Sequence, residues 1–260
     1  MENQFKNKAF FFFLITILFI MNSHLQAYEW KVGEEFVYRV KWMHFRIATV
    51  KLQVLGQCEI NGHEVYHTSF KIDSNPVLFF INIHSSFESY IDKQCRPHLY
   101  VSSQKNDGVG YQSNYAFDYA TDTIKATITN QEDTTKVIEK MVPLDGKVYD
   151  GVSLIFYLRS VVHQEGNEEL FAFVNGEKKR LSIEKRGQGK KMRVKPVHEP
   201  FQTYEINGKA HFTSIAGVNG KFRAWFAIDD QVPPLAAHFK VFLGEVKMSL
   251  ESWNNWNSTL

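Results

Sequence analysis

The chain has 260 residues, with 30 Lys plus Arg against 28 Asp plus Glu and a formal net charge of +2. That balance gives no general attraction to nucleic acid, so no nucleic-acid partner is expected. The 22 Phe, 11 Tyr and 5 Trp favour pleated sheet over helix, and two cysteines are too few for a disulfide scaffold.

In chain order, the first 27 residues read as a cleavable export signal. Lys6 and Lys8 precede the apolar run Ala9 to Met21, and a polar stretch closes on Leu25-Gln26-Ala27. The run is shorter than the roughly 20 residues a membrane-spanning helix needs. No Cys follows it to accept a lipid anchor. The expectation is a mature periplasmic protein from Tyr28, with no acyl anchor or transmembrane segment, folded as a single domain over residues 28–260.

Short alternating segments broken by turn residues then predict an antiparallel sheet. Val50, Leu52 and Val54 alternate with Lys51 and Gln53; Phe87, Ser89 and Ile91 alternate with Glu88 and Tyr90. Further predicted strands in the first half are 36–42, 65–72, 98–104, 111–118, 123–129 and 136–141. The second half offers 169–174, 178–185, 190–197, 202–210, 222–228, 235–242 and 245–253. Expected turns fall at Asn61-Gly62, Asn175-Gly176, Gly187-Gln188-Gly189, Asn207-Gly208 and Asn219-Gly220.

Only one segment breaks the period. Asp150 can cap a helix over residues 151–163, where Val152, Leu154, Ile155, Phe156, Leu158, Val161 and Val162 wrap most of the circumference. A helix apolar nearly all round must be buried. The predicted fold is mainly β: a large curved antiparallel sheet, half-barrel-like, wrapped around one buried helix.

Catalytic motifs do not survive this pattern. His63-Glu64-Val65-Tyr66-His67 spells the zinc-protease sequence, but that chemistry needs a helix to bring both histidines to one metal. Here a turn and a β-type run surround it, and extended chain would hold the histidines about 13 Å apart. Ser102 with Lys105 and Ser182 with Lys185 match S-x-x-K, again on predicted strands. No G-x-S-x-G occurs, and Gly187-Gln188-Gly189 lacks a phosphate-binding context. No catalytic residue, metal ligand or cofactor is therefore assigned.

Cys58 and Cys95 could form a disulfide or stay as separate thiols, since two intervening strand spacings would put them about 9–10 Å apart. Lys178, Lys179, Arg180, Lys185, Arg186, Lys190, Lys191, Arg193 and Lys195 form a basic stretch, read as a hairpin's solvated face or as a partner site centred on Lys190, Lys191 and Arg193. Arg159, on an otherwise apolar helix, needs an ion-pair partner or anchors a ligand. The recurring aromatics, Phe79, Phe80 and Tyr119 among them, pack a core or line a greasy pocket. The candidate lining set is Trp42, Phe117, Phe156, Arg159, Trp225 and Phe239.

Three stretches together resemble a family of exported bacterial proteins catalogued as domain of unknown function 3108. They are Gly33-Glu34-Glu35-Phe36-Val37-Tyr38-Arg39-Val40-Lys41-Trp42, Asp150-Gly151-Val152-Ser153-Leu154-Ile155-Phe156-Tyr157-Leu158-Arg159, and Val232-Pro233-Pro234-Leu235 running on to Leu243-Gly244-Glu245-Val246. The resemblance implies a large antiparallel sheet curled around a helix, similar in outline to periplasmic lipoprotein carriers, and it carries over no catalytic residues. Ala48 departs from the glycine the family carries there, which leaves the first hairpin's geometry open. The expected function is non-enzymatic: binding a hydrophobic ligand, lipid or lipoprotein, or an envelope partner. The alternatives are an envelope scaffold without a pocket and, third, a hydrolase.

Overall fold

A computed structural model describes residues 28–77, 82–106, 109–195, 197, 199–213 and 219–257. The segment expected to be an export signal, Phe79 and Phe80 lie outside the described residues. The first half forms β1 (Glu35–Trp42), β2 (Phe45–Ile60), β3 (His63–Ser74), β4 (Ile83–Ile91), β5 (Pro97–Asn106), β6 (Val109–Asp118), β7 (Thr123–Asn130) and β8 (Val137–Pro143). There follow β9 (Val148–Tyr149), α1 (Gly151–Val161), β10 (Gly166–Val174), β11 (Glu177–Gln188), β12 (Thr203–Thr213), β13 (Asn219–Ala227), β14 (Pro234–Lys240) and β15 (Glu245–Asn254).

These strands make one sheet in the order β8-β7-β6-β5-β4-β3-β2-β1-β15-β14-β13-β12-β11-β10-β9. The meander runs outward from β1 to β8, and the second half returns so that β15 pairs with β1. The break falls between β8 and β9, so the sheet does not close into a barrel. Side chains join the two ends: Phe173 of β10 packs edge-on against Tyr115 and Phe117 of β6, and Lys140 of β8 reaches Glu177 of β11.

The helix α1 is the crossover between the parallel strands β9 and β10. Asp150 caps it by accepting from the Val152 and Ser153 amides, and Ser89 of β4 donates to the same carboxylate at 2.6 Å. Val152, Phe156 and Leu158 are buried against a core that also takes Phe36, Tyr38, Ile91, Leu170 and Ile206. Tyr157 and Lys147 both bond Glu168, and Lys185 joins from β11 at 3.2 Å, tying the helix to its wall. The predicted curved sheet around a buried helix is thus observed, with the helix ending two residues short of His163.

Two sequence expectations are corrected. Residues 190–197 alternate like a strand, yet β11 already pairs with β12, leaving them a single bridge from Met192 to Phe201. Pro200, which lacks an N–H, also weakens any ladder there. The basic stretch is therefore one strand plus a loop, not a hairpin. Asn207-Gly208 is no turn: it lies in mid-β12, opposite Arg223 and Phe222. Glycine is required there because the Phe222 ring occupies the space of a Cβ, with its nearest carbon 2.0 Å from that position. Of the two readings of the cysteines, separate thiols is the one observed: Cys58 is exposed, Cys95 is buried, and both are free.

Candidate functional site

Strand direction divides the turns between two rims. The terminal rim holds residues 28–34, the C-terminal end of α1, the β13–β14 loop and residues 255–257. At its centre Arg159, fully buried, forms a two-pronged ion pair with Glu34, both bonds 2.7 Å. The same guanidinium donates to the carbonyls of Gln231 and Val232, and Trp30, Phe36 and Phe156 enclose it. Burial alone would make Arg159 easier to deprotonate; the Glu34 charge and its hydrogen bonds outweigh that and hold the proton more firmly. Val232 adopts φ 46°, a costly conformation for a β-branched residue, which is stabilised by what its carbonyl receives.

Around this pair, Trp256 donates to Asp229 at 2.6 Å and Asn255 to the Gly33 carbonyl at 3.0 Å. Tyr38 donates to the Pro234 carbonyl at 3.0 Å. With every donor of Arg159 turned inward and Glu34 only 2% exposed, no face of the pair is open to a ligand. The arrangement is a structural knot, and Arg159 takes the ion-pairing role of its two sequence readings.

A second polar group lies at the same rim beside a depression of about 570 Å³ that His63, His98, Phe117 and Tyr119 help to line. His63 packs on His98 with ring centroids 4.7 Å apart. The Asp92 carboxylate accepts from the amides of Gln94 and Arg96, from the Arg96 side chain and, at 3.4 Å, from His98. Burial pushes its pKa upward, but these bonds outweigh it and hold the carboxyl below the usual range. Its oxygens are committed to the turn, so it is not free to act as a base. His67, the other histidine of the zinc-like motif, bonds Glu88 at 2.8 Å from β3, as expected for extended chain. Among the described residues no three His, Cys, Asp or Glu side chains are grouped to hold a metal.

An open cleft of about 640 Å³ runs across β10 to β14, on the face turned away from α1. Register builds it: Glu184 faces Asn207, Asn207 faces Arg223, and Arg223 faces His238. In the next row Glu169, Ser182, Lys209 and Lys221 follow one another. Glu169 and Glu184 therefore charge one wall, whereas Lys209, Lys221, Arg223 and Lys240 charge the other. Glu245 sits among the cations, 3.9 Å from Arg223 and 3.8 Å from His238.

Beside the cleft, Trp225 is buried on this outer face, donating to Glu205 at 2.8 Å under the Lys190 ammonium and next to His238. Gly189 permits the covering loop to come this close, since a Cβ there would meet Thr203 Oγ1 at 2.8 Å and the Glu205 Cβ at 2.9 Å. Burial lowers the His238 pKa, and Lys247, Lys190 and Arg223 add to it while Glu245 opposes.

The six candidate lining residues do not converge. Phe117 lies by β10, Phe156 and Arg159 meet in the knot, and Trp225 is on the opposite face. Trp42 and Phe239 do share a row, both facing Val246. Of the basic trio, Lys190 covers Trp225, whereas Lys191 and Arg193 are exposed and make no ion pair with the described residues. The S-x-x-K pair at Ser182 and Lys185 is split across the sheet: Ser182 bonds His211 outside, and Lys185 bonds Glu168 inside. Sequence reading missed the cleft because its members are individually ordinary polar strand residues; cross-strand register alone assembles them.

The three stretches that carry the family resemblance meet at the knot: Glu34 from the first, Arg159 from the second, and the Val232 and Pro234 carbonyls from the third. The family described as Protein of unknown function (DUF3108) has a sequence profile that matches residues 37–251. The chain belongs to that family. No curated protein matches the chain. Among solved structures, the β-barrel-like protein of domain of unknown function DUF1849 from Brucella abortus is similar at 9% identity and TM-score 0.54, covering 87% of this chain and 98% of that one. This likeness supports the fold alone. A protein from Bacteroides fragilis named as exported, with a YmcC-like fold, matches at 7% identity and TM-score 0.38, covering 88% and 98% of the two chains. A Parabacteroides distasonis protein named as a lipoprotein matches at 10% identity and TM-score 0.34, covering 87% and 97%.

Proposed function

We propose that this protein is a non-enzymatic adaptor of the bacterial envelope that engages a protein partner through the outer face of β10–β14. The observation that carries this reading is the charge-segregated cleft, acids on the β10–β11 wall and cations on the β12–β14 wall. Such a surface complements a partner of mixed charge and fixes its orientation. The export signal expected from the first 27 residues supports the compartment. Against an interior lipid site stands the packing: the helix, the Arg159–Glu34 pair and the aromatic contacts occupy the concave side. The hydrophobic ligand weighed from sequence is thus the weaker alternative.

Charge reversal tests the reading. Lys209→Glu with Lys221→Glu should abolish chemical crosslinking to an envelope protein, and Lys125→Glu, outside the cleft, should leave it intact. Equal crosslinking by all three proteins, or a stoichiometric lipid in organic extracts of the purified protein, would overturn it.

A further inference from the structure

At the rim opposite the knot, two neighbouring turns present bare apolar side chains. Met43 and Phe45, in and beside the β1–β2 turn, are 56% and 62% exposed; Phe242 and Leu243, in the β14–β15 turn, are 104% and 57% exposed. Pairing of β1 and β14 with β15 sets these turns side by side, and Trp42 Nε1 donates to the Leu243 carbonyl at 2.8 Å, fastening one tip to the other. Val77, 80% exposed, belongs to the next turn along, whose Asn75 is bonded to the Arg46 and Ile47 carbonyls. Side chains this exposed gain nothing from the fold, and contiguous apolar groups rimmed by polar residues mark a contact surface.

Immediately behind the tips, the two faces of the sheet separate by chemistry. The row on the helix side is Phe45, Trp42, Val246, Phe239 and Phe222. On the outer side, cross-strand partners run Arg46, Lys41, Lys247, His238 and Arg223. Like charges directly opposite each other destabilise a sheet. The acids set against this row are Glu251, which pairs with Arg46, and Glu245, which lies near Arg223, His238 and Lys247. Among the described residues, Lys41 and, at the end of β14, Lys240 have no ion pair. An apolar edge backed by surplus cations is complementary to a bilayer surface, where side chains enter the acyl boundary and ammonium groups meet anionic headgroups. Tryptophan beside the tips suits the same interface.

We propose that this rim docks the protein reversibly on an anionic phospholipid surface, with Met43, Phe45, Phe242 and Leu243 inserting and Lys41, Lys240 and Lys247 on the headgroups. The site borders the adaptor cleft and shares Lys240 with it, but it does not use Lys209 or Lys221. The test is sedimentation of the purified full chain with vesicles of phosphatidylglycerol and phosphatidylcholine, compared with pure phosphatidylcholine. The wild type should bind the mixed vesicles, weaken as salt rises, and bind the neutral ones at least about tenfold less. Phe242→Ser with Leu243→Ser should lower binding about tenfold or more, and Lys41→Glu with Lys247→Glu should remove the preference for the anionic lipid. Lys209→Glu with Lys221→Glu should still bind vesicles, so either proposal can fail alone. Because the tip residues are exposed, unchanged circular dichroism and thermal unfolding verify that the variants fold. No sedimentation of wild type, equal binding to both vesicles, or undiminished binding by the tip variant would overturn the proposal.

Discussion

The two rims of this sheet solve the same problem in opposite ways. Each gathers the loose ends of many strands, where backbone groups and side chains lose their ladder neighbours. At the terminal rim, buried polar groups are matched to one another: Glu34 with Arg159, Asp229 with Trp256, and Asn255 with the Gly33 carbonyl. At the opposite rim the β1–β2 and β14–β15 turns are left apolar and open, joined by a hydrogen bond from Trp42 to the Leu243 carbonyl. The first arrangement is intolerant of substitution. The second is tolerant and has unspent binding capacity, so stability and contact are assigned to different ends of one sheet.

The sharpest break of this comparison is at the knot. Glu34→Gln should destabilise by about 3–5 kcal/mol in urea unfolding, because it leaves Arg159 charged and buried without its partner. Replacing Glu34 and Arg159 together by Leu and Met should recover most of that loss, as no unpaired charge remains. Phe242→Ser, at the other rim, should move stability by no more than about 0.5 kcal/mol. A large loss from Phe242→Ser would erase the distinction between the rims.

Asp150→Ala should cost about 2 kcal/mol, since it removes the helix cap and leaves the Ser89 hydroxyl without its acceptor. Acid titration gives a smaller effect. Asp92 and Glu168 are both held below the ordinary carboxylate range; burial pushes each the other way, but hydrogen bonds from His98 and Arg96, and from Lys147 and Tyr157, prevail. Their folded pKa values lie below the unfolded ones, so their contribution is present above about pH 4 and is lost as pH falls through the folded values. The urea midpoint of Asp92→Asn should therefore fall less steeply than wild type from about pH 6 to about pH 3. The mildest probe is thiol labelling without denaturant. Cys58 should react, whereas Cys95, buried beside Trp30 and Ser160 with its thiol pushed up to about 12 by burial, should react only on unfolding. Two equally fast thiols would show that the terminal rim opens readily.

Much of the fold was legible in the sequence because period-2 alternation writes burial directly into a strand with one covered face. Val50, Leu52 and Val54 are buried as read, and Asp150 caps the helix as read. The failures have local causes. Residues 190–197 carry alternation without a partner strand, and Gly208 serves a ring rather than a turn. The two-residue strand β9 is too short to show any period. Arg159 announced that it needed a partner, but Glu34 lies 125 residues away and nothing local marks it.

What the sequence by itself determined is the secondary structure of most strands, the single buried helix and the membership of its family, because these depend on local periodicity and short motifs. Tertiary structure decided which residues act together. It separated Cys58 from Cys95 and scattered the six aromatic and basic candidates. It also drew Glu34, Arg159 and Val232 into one knot and aligned Lys41, Lys247, His238 and Arg223 across four strands. Those groupings follow from strand order and register, which pair residues roughly 200 positions apart as readily as neighbours.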